Sequence, residues 1–196
     1  MFQIRIHGRG GQGVVTAAEL LSVAAFAEGR HAQAFPSFGS ERTGAPVVAF
    51  CRIDARPIRL REPVLEPDAV IVQDPTLLRP GLGVDVLAGL RPQGYLLVNT
   101  AATLDDLGLG AVAARLPYGH VATVPATAIA RTHVGRPVPN AALLGAFAAL
   151  TELMSIDSVA AAIAARFHGR LSDGNVAAAR AAYEHVKGVR ARASAA

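Results

Sequence analysis

The sequence predicts an α/β fold: a mostly parallel sheet flanked by helices, with a helical C-terminal third. Three features of the 196 residues point to it. The apolar segment QIRIH (3–7) runs into a glycine-rich loop, and an alanine-rich stretch follows. Two later runs, DAVIVQD (68–74) and GYLLVNT (94–100), are apolar throughout rather than alternating. Strands buried on both faces of a parallel sheet have that pattern. Helical stretches separate these strands, as crossover connections require.

Each element has its own signal. QIRIH is a first strand, and the first helix runs from near Gly13 to a glycine stop at Gly29. Its Val14, Ala17, Ala18, Leu21 and Ala25 share a face at helical spacing. HAQAF (31–35) is a short second strand, and PSFGSERTGAP (36–46) is a polar surface loop of functional type. VVAFCRI (47–53) is the next strand, DARP (54–57) a turn, and IRLRE (58–62) alternates like a partly exposed strand. DAVIVQD, GYLLVNT and, more weakly, HVATVPAT (120–127) follow as strands. NAALLGAFAALTELM (140–154) is apolar on nearly all sides, so it is a buried helix. Two more helices begin at the caps Ser155 and Ser172. The whole is a Rossmann-like single domain over residues 1–190, with 191–196 expected as a loose tail.

Composition narrows the function. The net charge is +4, but the basic residues are scattered, Lys187 is the only lysine, and aromatics make up 5%. That argues against nucleic acid and suits small anions or acidic partner surfaces. The single cysteine, Cys51, lies within an apolar strand and reads as core. One cysteine excludes an intrachain disulfide and an all-cysteine iron–sulfur cluster built from this chain alone. There is no signal-peptide pattern and no apolar run of the ~20 residues that span a bilayer. The expectation is a cytoplasmic protein with no membrane contact.

The loop GRGGQG places glycines at 8, 10, 11 and 13, after a strand and at the start of a helix. Glycines let the backbone approach a ligand, and the helix start points free N–H groups at an anion. A nicotinamide dinucleotide would also need an acid at the end of the second strand. No Asp or Glu occurs there before Glu41. No lysine follows the glycines, which excludes a P-loop. A tight turn with no ligand, a dinucleotide site, and a site for another phosphate-bearing molecule all remain open.

The ordered blocks IRIHGRGGQGVVTAAELL, AQAFPSFGSERTGAPV, RPIRLREPVLEPDAVIVQDPTLL, LLVNTA and PNAALLGAF resemble the γ subunit of the 2-oxoacid:ferredoxin oxidoreductase family, over roughly residues 2–185. The resemblance implies a complex that oxidises a 2-oxoacid, forms acyl-CoA and carbon dioxide, and passes electrons to ferredoxin or onward to NAD. It implies partner α and β subunits that hold thiamine diphosphate and Mg2+. A ferredoxin-like δ subunit, or another cluster-bearing chain, would hold [4Fe-4S] clusters. It further implies that the γ part helps bind coenzyme A. In agreement, the chain has no Gly-Asp-Gly diphosphate motif with a later Asn pair and no C-x-x-C run.

Under that resemblance, Gly8, Arg9, Gly10, Gly11, Gln12 and Gly13 are expected to line a phosphate or pantetheine contact, with Arg9 as a forked cation. Ser37, Ser40, Arg42 and Thr43 would add hydroxyls and a guanidinium from the polar loop. Asn99, at a strand end, lies on the expected ligand edge or caps the segment from Thr100. Asn140 reads as a helix N-cap. His7 reads as a structural histidine with its hydrogen bonds satisfied, and Asp74 as a turn or cap residue. His31, His120, His133, His168 and His185 have no metal-type spacing. Neither a catalytic group nor a metal site is expected in this chain. The alternatives are a purely architectural interface subunit and a dinucleotide-binding protein.

Overall fold

The computed structural model describes residues 1–37, 44–79 and 85–194. Its elements are β1 (Phe2–Arg9), α1 (Val14–Ala27), β2 (His31–Pro36), β3 (Pro46–Asp54), β4 (Ala69–Val72), a 3-10 turn (Pro75–Leu78), β5 (Tyr95–Asn99), α2 (Gly110–Ala113), β6 (Val121–Val124), α3 (Ala126–Val134), α4 (Asn140–Thr151), α5 (Ile156–Arg166) and α6 (Gly169–Ser194). The strands form one sheet in the order β2-β3-β1-β4-β5-β6. β1, β4, β5 and β6 pair in parallel, whereas β3 runs antiparallel to both β1 and β2. The polar loop therefore joins a hairpin rather than a crossover. It is too short to carry a helix back across the sheet.

The two faces of the sheet are covered unequally. Ile4, Ile6, Cys51, Ile71, Leu97 and Val124 face a large core shared with α1, α4, α5 and α6. The alternate residues Val70, Val72, Leu96 and Val98 face a smaller cluster with Leu77, Val86 and Leu109. That thinner layer comes from the 3-10 turn, α2 and loops. Helix α4 is buried on all sides from Asn140 to Leu150, because it packs on β5, β6, α1, α3, α5 and α6 together. Gly145 permits this: a Cβ there would lie 1.9 Å from the Ala179 carbonyl oxygen of α6.

Three expectations need correction. IRLRE forms no strand. It belongs to a loop held over the thinner face by buried arginines, with Arg52 Nη2 donating to the Glu62 carbonyl at 2.6 Å and Arg5 Nη1 to Val64 at 3.4 Å. Those main-chain carbonyls pair with guanidinium groups instead of a neighbouring strand. Ser172 caps nothing, because α6 starts a turn earlier at Gly169 and Ser172 is buried within it. At the other end α6 runs to Ser194, into the stretch read as a loose tail. Just before that stretch, Arg190 Nη1 anchors the helix to the Ala149 carbonyl at 2.7 Å. Ser155 does cap α5, its hydroxyl accepting from the Ser158 N–H at 3.1 Å.

Candidate ligand-binding edge

Because β3 alone among these strands is reversed, β1, β2, β4, β5 and β6 all end on one edge of the sheet. Open α/β sheets bind ligands at that edge. The glycine turn 8–13, Ser37, Gln73, Asp74 and Asn99 all lie there. Expected neighbours across the hairpin do meet: Gly10 N donates to Ala45 O at 2.9 Å, and Gly44 N to Gly10 O at 3.2 Å.

The turn is built from the inside. At Gly8 a Cβ would lie 2.6 Å from Val14 Cγ2, so the strand packs directly against the helix it feeds. Gly13 is the N-cap of α1, at φ 75° and ψ 30° in the left-handed region, where glycine is favoured. A Cβ on Gly13 would also lie 2.8 Å from Asn140 Nδ2. Gly11, at φ 89°, has open space around it. The helix start carries no side-chain cap bond and no acid in its first turn. Its leading amides therefore have no side-chain acceptor, and the helix dipole lies behind them.

Arg9 does not reach into solvent as a free cation. Its Nε lies 3.2 Å from Asp74 Oδ2, its Nη2 donates to Thr76 Oγ1 at 2.8 Å, and its Nη1 donates to Gly44 O at 3.0 Å. Gln12 closes the same network. Its Oε1 accepts the Arg9 N–H at 2.8 Å, and its Nε2 donates to Asp74 Oδ2 at 2.9 Å. Gln73 Nε2 donates to the Gln12 carbonyl. Asp74 caps the 3-10 turn by accepting from Thr76 N at 3.0 Å. Partial burial is the largest single influence on its carboxyl and opposes ionisation. The hydrogen bonds from Thr76 and Gln12, with the Arg9 cation, outweigh it and hold the group below the usual carboxylate range. The edge thus combines uncapped amides with a carboxylate already paired to a guanidinium, which limits its repulsion of an incoming anion.

Comparison with known proteins decides the family. The family model for pyruvate ferredoxin/flavodoxin oxidoreductase matches residues 3–185. The chain belongs to this family. It is 48% identical to the pyruvate synthase subunit PorC of Methanothermobacter marburgensis, over 95% of this chain and 98% of that one. It is also 48% identical to the pyruvate/ketoisovalerate oxidoreductases common subunit gamma of Pyrococcus furiosus, over 94% and 96%. Among solved structures, the pyruvate oxidoreductase subunit PORC of Thermotoga maritima superposes with a TM-score of 0.77 at 36% identity, covering 93% of this chain and 95% of that one. The chain is a γ-type subunit of this oxidoreductase family.

The remaining expected residues of this γ-type chain divide. Asn99 is committed internally: its Nδ2 donates to Gln73 O and to Thr127 Oγ1, both at 2.8 Å, and its Oδ1 accepts from Thr127 N at 3.1 Å. It therefore ties β5 to β4 and to the start of α3, and does not cap the segment from Thr100. Ser37 is exposed, and its N–H extends the hairpin ladder to Val48 O at 2.8 Å. Ser40, Arg42 and Thr43 lie outside the described residues. Asn140 is the first residue of α4 rather than its cap, which is Pro139. His7 is buried, but neither ring nitrogen has a partner. Its register neighbours are Val48 and Val72, which offer only side-chain methyls. Burial, and then the nearby Arg5 charge, lower its pKa to about 3.

Sequence reading missed Gln73 and Thr76 as supports of the turn. Their roles depend on β4 ending beside β1, and no local pattern records that. Among the described residues no three His, Cys, Asp or Glu side chains come together as a metal set. Cys51 is fully buried, and its thiol is pushed up to about 12. Among the described residues, no helix is long and apolar enough to cross a membrane.

Proposed function

We propose that this γ subunit serves a thiamine-diphosphate-dependent complex that oxidatively decarboxylates pyruvate, or a related 2-oxoacid, to acyl-CoA. In that reaction carbon dioxide leaves, coenzyme A takes the acyl group, and electrons pass to ferredoxin or onward to NAD. The partner α and β subunits and a cluster-bearing δ-type chain carry the thiamine diphosphate, Mg2+ and [4Fe-4S] clusters. The substrates named for the relatives, pyruvate and ketoisovalerate, favour pyruvate or a branched oxoacid over an aryl or dicarboxylic one.

This chain's own part is to hold the phosphate-bearing end of coenzyme A at the glycine turn and leave the thiol free to reach the acyl group. The observation that carries this reading is the uncapped start of α1, presented on the edge where five strands end. Positioning of this kind raises rate without covalent participation. Gln12→Ala and Arg9→Ala would loosen the turn. Each should raise the KM for coenzyme A by about tenfold, a hydrogen bond to a charged group in scale, and leave the KM for the oxoacid unchanged. Steady-state kinetics of the assembled complex measure this. Unchanged coenzyme A kinetics in both variants would remove the assignment.

A scaffolding reading also has an observation behind it: the Arg9 guanidinium is already satisfied by Asp74, Thr76 and Gly44. In that reading the same kinetics stay flat, and the variants instead lower the yield of assembled complex.

A further inference from the structure

The loop between β3 and β4, residues 55–68, lies over the thinner face of the sheet, and its main chain is pinned from below. Arg5 and Arg52 are only 7% and 2% exposed. Among the described residues both guanidiniums donate to neutral oxygens alone. Arg52 Nη2 donates to the Glu62 carbonyl at 2.6 Å, and its Nε to Gln3 Oε1 at 3.0 Å. Arg5 donates to the carbonyls of Val64 at 3.4 Å, Val86 at 3.0 Å and Ala88 at 2.5 Å, so it clamps the loop to the segment before β5. Gly89 makes room for the same loop, since a Cβ there would strike the Leu65 carbonyl oxygen. Burying two cations on uncharged partners is costly. Here it fixes the path of a loop that has no strand or helix of its own.

The side chains that this fixed loop presents are not those of a plain solvated turn. Leu60 and Leu65 are 45% and 76% exposed. Arg56, Arg59 and Arg61 are exposed beside them. Their guanidiniums make no hydrogen bond or ion pair among the described residues. The acids nearby are engaged by other cations. Asp54 pairs with the Met1 ammonium at 3.0 Å, and Glu66 and Asp68 pair with Arg91 at 3.7 and 2.9 Å. The Glu62 charge acts on the buried Arg52. Residues 56–65 therefore form a cationic, partly apolar surface with no counter-charge left for its three arginines.

The chemistry of the surface selects its occupant. Nucleic acid and an anionic bilayer fit poorly, because Glu62 and Glu66 are exposed within or beside the patch and would face phosphates. A protein surface can instead set carboxylates against Arg56, Arg59 and Arg61 and apolar side chains against Leu60 and Leu65. Arginine is enriched in protein interfaces, and a preset loop loses little freedom on docking. We propose that residues 56–65 dock this γ-type chain onto a partner subunit of its complex, against a patch of carboxylates around apolar side chains. The proposal is independent of the coenzyme A reading, because the loop covers the face of the sheet opposite α1.

Two triple charge reversals in the assembled complex test this. One is Arg56→Glu/Arg59→Glu/Arg61→Glu in the loop. The other, with the same change in net charge, is Arg115→Glu/Arg131→Glu/Arg170→Glu at exposed sites elsewhere. Dilution of the complex, followed by mass photometry at low and high salt, gives the dissociation constant of this chain. The loop variant should raise it by about tenfold at low salt, the scale of three exposed ion pairs. It should also lose most of the salt dependence that the wild type shows. The control variant should match the wild type. A photo-crosslinker placed at Leu65 should join to a partner subunit, within a peptide that contains Asp or Glu. The crosslink leaves the arginines in place, so it reads the interface however the variants fold. No weakening by the loop variant, or equal weakening by the control, would overturn the proposal. So would a crosslink between two copies of this chain, or an intact complex in which the loop variant alters only the reduction of a soluble acceptor.

Discussion

At the scale of single residues, His7 has the sharpest consequence. It sits on β1 between Val48 and Val72, and burial and Arg5 hold it neutral down to about pH 3. In the unfolded chain it titrates near 6.5. Between those two values only the unfolded chain binds the proton. Stability should therefore fall as pH drops below about 6.5, by at most ~1.4 kcal/mol per pH unit from this one group. Asp74 acts in the same direction but in a lower window, below the ordinary aspartate value of 3.8. Urea unfolding of the full chain at pH 7, 6, 5 and 4 measures the effect. His7→Phe should flatten the curve across that range, and a slope identical to wild type would show that other groups carry it. A strand pattern of QIRIH marks His7 as structural, yet it cannot reveal that its ring nitrogens lack partners. That depends on which neighbours arrive in register.

At the scale of elements, legibility follows how local each cause is. The first strand, its glycine turn and α1 were readable because spacing, turn residues and helical periodicity lie within one stretch of sequence. The all-round burial of α4 was readable for the same reason. The reversal of β3 was not. A hairpin and a crossover both need an apolar strand after a loop, and the choice rests on what the strand pairs with. IRLRE (58–62) was misread because its alternation reflects side chains laid along a surface, with no neighbouring strand to pair with. Asn99 falls between: its place at a strand end was legible, but its bonds to Gln73 and Thr127 depend on β4 and α3. The packing of α4 on α6 yields a direct test. A Cβ at Gly145 would lie 1.9 Å from Ala179 O, and a backbone atom on a packed helix has little room to move. Gly145→Ala should destabilise the chain by ~3 kcal/mol, the upper end of ordinary overpacking. A drop in the urea midpoint checks this, and an unchanged midpoint would mean that the helices are farther apart than described.

At the scale of the whole molecule, the unequal covering of the sheet organises both stability and function. The face shared with α1, α4, α5 and α6 buries a large apolar cluster, and the opposite face has a smaller one under short turns. Native-state amide exchange should rank the two layers accordingly, with α4 amides exchanging slowest and those of α2 and the 3-10 turn fastest. Exchange of α4 as fast as α2 would contradict that ranking. The thick layer also fixes the ligand edge. α1 is packed from behind by α4 and α5, so its uncapped start is held at the strand ends.

The central claim is that these amides grip the phosphate-bearing end of coenzyme A. A structure of the assembled complex with coenzyme A bound tests it most directly. The account predicts phosphate oxygens within hydrogen-bond distance of N–H groups among residues 11 and 13–16, the Gln12 N–H being donated to the Arg9 carbonyl. Coenzyme A ordered elsewhere in the complex, with those amides facing a partner's side chains, would contradict it.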